Sequence, residues 1–595
     1  MTGPLTHPRA ARQHRSWLGT LVGATVLLLA SPVPPAAGAA DDLGYTVVVN
    51  APPALKPVLE SNLDLVRWSK RKDVGEDQFR QLFRTAPAQV RDLLATEGYF
   101  TPSVITALDR AQDRWVARLE IDPGEPTRVS EVEMRFSGPL EPDRQTRARG
   151  AFDLAVGAVF RQADWETAKQ RPVHALHRYR FAAARIVASE AAIDPQARTA
   201  RLSVDIDSGP PFSFGSLRVT GLQRYPERIV TTLSPIAPGS PYDEEQLLRF
   251  QRRLQASGYF ASAVVFAGND PAEASATPVD VAVVEAAARK LEFSTGVSTD
   301  RGPRAQVQYT DRNLLDRAVR YRGSVRIDRL SQEAILGLSL PRQDSGHVFG
   351  LEGQYNYQDI QGEERTNWIT TLARTYAVET RESQQGVQLL TERRILGGTD
   401  TDRRQALFLI QTWRWNNLDD LLAPREGYYV SLQAGGARQG LLSNRSFGRL
   451  HLRTSYLHSV SKSGTLLLRA ELGSVLATSR EQIPSAYLFR TGGDTSVRGY
   501  PLDSLGVAEG GAIVGGRYLA IASAEYIQWI RPQWGIAAFV DGGNATDQVD
   551  AYRAVFGYGL GARWSSPIGS LNLDVAYGAQ ISDWRVHLSA GLVLR

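Results

Sequence analysis

The sequence predicts a multidomain protein in which three small α+β repeats precede a C-terminal antiparallel transmembrane β-barrel of about sixteen strands. At 595 residues the chain is too long for one compact domain. In the first half, a pattern of strands and helices recurs with a period of roughly eighty-five residues. After about Lys290, helical periodicity gives way to two-residue alternation, which is typical of strands.

The first thirty-nine residues have the features of a signal peptide. The positive start consists of Arg9, Arg12 and Arg15. It is followed by the uncharged apolar run Leu18–Ala30 and by small residues that suit cleavage near Ala39. The apolar run has about thirteen residues, fewer than the roughly twenty that a spanning helix needs. We therefore expect residues 1–39 to be removed.

Composition excludes several kinds of protein. The net charge of +5 includes the three leader arginines, so it does not indicate a nucleic-acid partner. The absence of cysteine excludes disulfides, thiolate metal sites and a cysteine nucleophile. After the leader, no stretch approaches eighteen uncharged apolar residues. A mature chain in a membrane would therefore have to cross it with strands.

Two pairs of similar sequence segments reveal the repeat. The strand that ends before Gly124 recurs before Gly209, and Gly98-Tyr99-Phe100 recurs as Gly258-Tyr259-Phe260. Each triplet follows a helical run, where a capping glycine is expected. Each copy then reads strand, helix, helix, strand, strand, and each sheet would present an edge to a partner strand. The predicted repeats span 40–126, 127–210 and 211–288.

The predicted barrel spans 289–595. Its strands alternate apolar with polar residues, as where Leu466, Leu468 and Leu472 alternate with Arg469 and Glu471. A water-filled lumen tolerates so many charged inward positions, whereas a packed core between two sheets does not. At roughly nineteen residues per strand and connection, this region accommodates about sixteen strands.

Three motifs occur in order within this barrel. Phe489–Tyr500 ends in Arg-Gly-Tyr, Phe539–Ala545 contains Phe-Val-Asp-Gly-Gly, and Gly559–Ala576 reads as a strand hairpin. Together they resemble the BamA/TamA outer-membrane assembly superfamily. The resemblance covers nearly all of the mature chain and implies POTRA-type repeats in the periplasm and a barrel in the outer membrane.

The candidate site is a loop that folds into the lumen. Alternation places Asp541 and Phe539 on one side of their strand, which we interpret as luminal, and Glu525 on the preceding strand is also expected to point inward. The resemblance implies that Arg498 pairs with Asp541, with Glu525 close by. Glycines on alternate positions of the next strand would let the loop approach closely. The predicted loop motif comprises Gly492, Gly493, Asp494, Val497, Arg498, Gly499 and Tyr500.

Three repeats and the first barrel hairpin, Ser294–Arg304, are similar to the translocation and assembly module subfamily. The resemblance implies an assembly factor that inserts or translocates unfolded β-barrel or autotransporter-type clients through a lateral seam, in contact with outer-membrane lipid. Its expected partner is a TamB-like protein anchored in the inner membrane. The predicted seam residues are Gly296, Leu588, Gly591 and Leu594.

Other functions remain open. A two-partner-secretion-type pore would export one dedicated substrate, and a general BamA-type insertase would carry five repeats. An enzyme is disfavoured because the sequence contains no metalloprotease, hydrolase or phosphate-loop motif, and its eight histidines are not clustered as ligands. We therefore expect no catalytic residue, cofactor or metal, and no nucleic-acid partner.

Overall fold

The computed structural model describes residues 44–71, 73–111, 114–420, 424–566 and 569–594. The predicted signal peptide lies outside these ranges. Contacts divide the chain into two compact units. One contains the described residues up to Met134 with Phe152–Lys169 and Ser189–Val204, and the other contains Arg135–Ala151, Gln170–Ala188 and the chain from Asp205 onward. In the described ranges, no helix combines the length and apolarity needed to cross a membrane.

The first sheet has three strands in the order β1-β3-β2, with β1 parallel and β2 antiparallel to β3. The α3 helix covers it because Phe79, Ala86, Val90 and Leu94 lie on one helix face and are buried. The elements are β1 (Thr46–Asn50), α1 (Lys56–Asn62), α2 (Asp64–Trp68), α3 (Glu76–Thr96), β2 (Ser103–Ala111) and β3 (Arg114–Asp122).

The second sheet has the order β4-β6-β5. Its elements follow the predicted order strand, helix, helix, strand, strand, whereas the first copy has three helices between its first two strands. Its central strand alternates, with Leu202, Val204 and Ile206 buried. The elements are β4 (Arg128–Ser137), α4 (Pro142–Ala151), α5 (Gln162–His177), β5 (Arg185–Asp194) and β6 (Thr199–Asp207).

The third sheet has the order β7-β9-β8 and lies directly before the barrel in the chain. Asp243 caps α7 by accepting a hydrogen bond from the Glu245 N–H at 2.9 Å. The Tyr259 hydroxyl donates to the Ala318 carbonyl in a barrel turn at 2.8 Å. This contact marks the periplasmic end of the barrel. The elements are β7 (Phe214–Thr220), α6 (Arg228–Thr231), α7 (Glu244–Ala256), β8 (Phe260–Ala267) and β9 (Thr277–Glu285).

The rest of the chain forms a closed barrel of sixteen described strands, which confirms the predicted fold class. Neighbouring strands pair antiparallel in sequence order, and the first pairs with the last. The first eleven are β10 (Arg289–Ser298), β11 (Gly302–Leu314), β12 (Val319–Asp328), β13 (Ser331–Ser339), β14 (His347–Ile360), β15 (Glu363–Val378), β16 (Arg381–Leu396), β17 (Thr399–Leu418), β18 (Gly427–Ala437), β19 (Phe447–Ser461) and β20 (Gly464–Leu476).

A long segment between the eleventh and twelfth barrel strands carries its own small hairpin, β21 (Val507–Glu509) paired with β22 (Ala512–Val514). The barrel then continues with β23 (Tyr518–Arg531), β24 (Trp534–Thr546), β25 (Val555–Ser566), β26 (Gly569–Gly578) and β27 (Asp583–Leu594).

The two faces of the barrel wall differ as the alternation predicts. Val325, Leu472 and Val540 are about half exposed on the outer, lipid-facing side. Charged residues such as Glu363 and Arg394 are buried on the inner side, where they pair with one another at 2.9 Å. Apolar positions therefore face lipid, and charged positions find partners inside.

Candidate functional site

Residues 477–517, between β20 and β23, fold back into the barrel, and we call them the lumen loop. Tyr487, Phe489, Val497 and Tyr500 of this loop are buried in one apolar cluster with wall residues, including Phe408. The loop is thus held by a packed core within the barrel, in addition to its polar contacts.

Arg498 is the most heavily bonded residue of the lumen loop. Its Nε lies 2.7 Å from Asp541 Oδ2 and its Nη2 lies 3.0 Å from Asp541 Oδ1, so the pair is bidentate. Its Nη1 lies 2.7 Å from Glu525 Oε2, and its guanidinium carbon lies 3.3 Å from the centre of the Phe539 ring. Arg498 is 2% exposed and Asp541 is fully buried. The structure thus brings these four predicted residues together.

The sequence reasoning missed two charged residues of this cluster, Arg563 on β25 and Asp574 on β26. Arg563 Nη2 lies 2.7 Å from Glu525 Oε1, and its Nη1 lies 2.6 Å from Asp574 Oδ1. Asp574 is also 3.4 Å from Arg498 Nη1. Strand alternation could have identified Arg563, because it is two residues from the inward-facing Gly561 and therefore shares its face. Buried charges of both signs alternate in space, as a desolvated cluster requires.

Glycines let the loop backbone touch the wall. A Cβ built at Gly557 would overlap the carbonyl oxygen of Arg498, so no side chain fits there. Gly499 has φ +91°, and a Cβ on it would lie 2.8 Å from the Gly578 nitrogen. Both positions need glycine because two backbones pass within contact distance. Tyr500 follows, and its hydroxyl bonds with Gln580 and donates to the Phe556 carbonyl at 3.3 Å.

The residues that precede this motif contact the first turn of the barrel, which follows β10. Gly492 and Gly493 have φ +108° and +102°, a region that favours glycine. The Asp494 N–H donates to Asp300 Oδ2 at 2.8 Å. Asp300 follows β10, so the lumen loop is fixed to the first strand of the barrel.

The seam between β10 and β27 is paired over a short run. It extends from Phe293–Leu594 to Ser298–Ser589, with Gly296 opposite Gly591. Beyond it, the Thr299 N–H donates to the Leu588 carbonyl at 3.1 Å. Among the described strands, this register is the shortest around the barrel, whereas β15 and β16 pair from Glu363–Leu396 to Val378–Arg381. The four predicted seam residues therefore lie at this junction.

His587 links the lumen loop to the last strand and was also missed from sequence. Its Nε2 accepts a hydrogen bond from the Gly499 N–H at 3.0 Å. That bond assigns the ring proton to Nδ1, which lies 3.7 Å from Asp300 Oδ2. His587 on β27 and Asp300 after β10 thus meet beneath the lumen loop, one from each side of the seam.

The opposite end of the lumen loop is fixed to the wall formed by β15 and β16. The Ser485 N–H donates to Glu392 Oε1 and its hydroxyl donates to Glu363 Oε1, each at 2.8 Å. Arg490 Nη1 lies 3.1 Å from Glu363 Oε2. The loop therefore spans the lumen between this wall and the seam.

Together, a sixteen-stranded barrel, a loop folded into its lumen and α+β repeats define an outer-membrane barrel protein with periplasmic repeats. The chain belongs to the Omp85 superfamily, whose domain profile matches residues 287–592. A second family profile, POTRA, described as surface antigen variable number repeat, matches residues 212–286.

Three known proteins are similar to parts of this chain. The outer membrane protein assembly factor BamA of Nitratidesulfovibrio vulgaris is 30% identical over 136 residues, which is 22% of this chain and 17% of that protein. The match thus covers less than a fifth of that relative. The crystal structure of Haemophilus ducreyi BamA lacking POTRA domains 1–3 superposes with a TM-score of 0.61 at 15% identity, covering 78% of this chain and 99% of that one. CdiB from Escherichia coli gives a TM-score of 0.48 at 14% identity, covering 87% and 97%.

Proposed function

We propose that this protein is a non-enzymatic assembly factor that inserts or translocates client proteins through the seam between β10 and β27. The observation that carries the proposal is the short register of the seam, from Phe293–Leu594 to Ser298–Ser589, beside longer registers elsewhere. Few strand hydrogen bonds need to break for this junction to open, and each contributes only about 0.5–1.5 kcal/mol net.

An open seam would present two unpaired strand edges. Such edges accept a new strand through backbone hydrogen bonds, so they can template the first strand of an incoming barrel. Gly296 and Gly591 face each other there, and glycine adds no side-chain packing to a strand pair. Because the lumen loop occupies the interior, the seam offers a route that does not require the loop to leave.

Within the superfamily, we propose a TamA-like role. Three α+β sheets, proposed to belong to repeats 40–126, 127–210 and 211–288, precede the barrel and support this assignment. The proposed clients are autotransporter-type and other outer-membrane barrels, and the proposed partner is a TamB-like protein that docks on the repeats. Co-purification from solubilised membranes tests this directly. Recovery of a set of lipoproteins instead would favour a general insertase, and a single exported substrate would favour a secretion pore.

A reversible lock tests the seam itself. Ser298→Cys with Ser589→Cys places two cysteines at a register pair across the seam, in a chain that has no other cysteine. Directly opposed residues of antiparallel strands are within disulfide range. We expect oxidation to abolish client assembly and a reductant to restore it.

The matched control keeps Ser589→Cys but joins it to Asn572→Cys on β26, on the other side of the same strand. This lock should leave client assembly unchanged, because β26 and β27 need not separate. Full activity of the oxidised seam variant would contradict the proposal.

A further inference from the structure

A cavity of about 160 Å³ lies where the third repeat meets the barrel. The repeat contributes Ser257 and Tyr259, which follow α7, and the barrel contributes Arg320 and Arg342. A water molecule occupies roughly 30 Å³, so the cavity has room for a group of about five non-hydrogen atoms. The other residues that line it are Ile229, Leu233, Ala256 and Val348.

Two arginines reach this cavity from different parts of the barrel. Arg320, at the start of β12, donates from Nη1 to the Ser257 carbonyl at 3.1 Å, and its guanidinium carbon lies 5.6 Å from the centre of the Tyr259 ring. Arg342, in the turn after β13, donates from Nη1 to the Ala377 carbonyl at 3.2 Å. The Nε of Arg320 is buried without a hydrogen-bond partner among the described residues. A buried donor without an acceptor is unfavourable, so the cavity favours a ligand that accepts hydrogen bonds.

The lining of the cavity is positively charged. Among its described lining residues, none carries a carboxyl group. Acids in the adjoining turns of the barrel pair with other arginines of the third repeat. Asp344 lies 3.0 Å from Arg228, and Glu379 lies 2.9 Å from Arg249. The guanidinium groups at the cavity therefore need a negative charge from a ligand.

A third arginine strengthens this positive field. Burial and the positive charge of Arg253, on α7, both lower the pKa of Arg342. The charged form of Arg342 is thus disfavoured by its surroundings, and an anion bound beside it would offset that effect. Guanidinium groups bind phosphate oxygens through paired, charge-assisted hydrogen bonds. A phosphate group therefore matches both the charge and the size of the cavity.

The neighbouring barrel surface gives the depth of Arg342 in the membrane. On β15, Leu372 and Tyr376 lie on the lipid-facing side and are 58% and 42% exposed. Tyr376 packs against His347 of β14, with ring centroids 5.3 Å apart. Aromatic rings of this kind form the girdle at the edge of the hydrocarbon layer. Since the Arg342 guanidinium carbon lies 5.8 Å from the centre of the Tyr376 ring, Arg342 is at the level of the headgroups of the periplasmic leaflet.

We propose that Arg320 and Arg342 form a binding site for a phosphate group at the junction of the third repeat and the barrel. The group belongs either to a phospholipid of the periplasmic leaflet or to free inorganic phosphate, and the place of Arg342 beside the aromatic girdle favours the phospholipid. Because both the repeat and the barrel line the cavity, a ligand there stabilises the docked position of the repeat. The site does not depend on the proposed assembly function, because it can be measured without any client.

Isothermal titration calorimetry of the full-length protein in phosphate-free detergent tests the site. The probes are short-chain phosphatidylglycerol, the matching diacylglycerol without phosphate, and inorganic phosphate. We expect phosphatidylglycerol to bind the wild type, and Arg320→Gln with Arg342→Gln to weaken that binding about tenfold or more. Arg342→Gln alone keeps the bond from Arg320 to Ser257 and should weaken binding severalfold. Heat-modifiable migration on a gel verifies that each barrel is folded.

The matched control, Arg317→Gln with Arg381→Gln, removes two exposed positive charges at the same end of the barrel and should bind like the wild type. Inorganic phosphate that binds as tightly as phosphatidylglycerol would assign the site to free phosphate, and weaker binding would assign it to the lipid. The proposal is overturned if neither phosphate-containing probe binds the wild type, or if diacylglycerol binds it as well as phosphatidylglycerol does. Unchanged binding by the double variant, or an equal loss in the control, would also overturn it.

Discussion

The seam and the β15–β16 wall are built from the same kind of strand, yet they are held together differently. The wall pairs continuously from Glu363–Leu396 to Val378–Arg381. The seam pairs only from Phe293–Leu594 to Ser298–Ser589 and then meets the lumen loop through Asp300 and His587. The wall thus has a long run of its own backbone hydrogen bonds beside its contacts with the lumen loop, whereas the seam has a short run and depends more heavily on that loop.

Because of this difference, the seam can open while the rest of the barrel stays folded. The contacts of the lumen loop at the seam can be lost while the wall keeps its register. Its other contacts, at Glu363 and Glu392, keep the loop in the lumen when the seam side is released. We therefore expect variants that remove contacts at the seam to affect the seam and not the β15–β16 wall. Three predictions address this comparison.

The largest effect is expected for Arg498→Ala. Its removal leaves Asp541 and Glu525 buried with fewer cationic partners, and such truncation of a buried pair costs about 3–5 kcal/mol. We expect the barrel to be exported and folded, but the lumen loop to become accessible to protease and client assembly to be impaired. Limited proteolysis in intact cells and a client-assembly assay measure the two effects.

Arg498→Lys provides the control, because it keeps the charge but cannot bond Asp541 with two parallel donors. Its effect should fall between those of Arg498→Ala and the wild type. Unchanged loop protection and client assembly in Arg498→Ala would mean that the loop is held by its apolar cluster alone.

Strand parity explains how much of the site could be predicted. Alternation along β24 predicts that Asp541 and Phe539 share a side opposite Val540, and in the structure the first two are buried while Val540 is half exposed. His587 could not be found in this way. It is one histidine in an apolar strand, and it becomes informative only when barrel closure brings Asp300 from the first turn beside it.

A smaller effect is expected for His587→Ala. The change removes the acceptor of the Gly499 N–H in a buried position, which costs about 1–3 kcal/mol. Because this contact is at the seam, we expect faster hydrogen exchange at the β10 and β27 amides and unchanged exchange in β15 and β16. His451→Ala is the matched control, since His451 is also luminal but bonds to Glu471 on β20 at 2.7 Å. Equal acceleration in both regions would remove the distinction between seam and wall.

The smallest effect on the seam is expected from a change where the third repeat joins β10. Burial raises the pKa of Glu285, but hydrogen bonds from Arg224 and from the N–H groups of residues 223–225 outweigh it and lower the pKa to about 2. A carboxyl group with a lowered pKa stabilises the fold above its unfolded pKa, near 4.3, and this contribution disappears as the pH falls towards 2. Glu285→Gln should therefore lower the free energy of unfolding of the third repeat at neutral pH, on the order of 1–3 kcal/mol. It should also make that free energy depend less on pH between about pH 4 and 2. Proteolysis of the full-length protein across this pH range measures both effects.

Because Arg224 also donates to the Ala286 carbonyl at 2.8 Å, this cluster fixes the chain that leads into β10. A rise in seam exchange as large as that of His587→Ala would show that the seam is controlled from the periplasmic side as well as from the lumen loop.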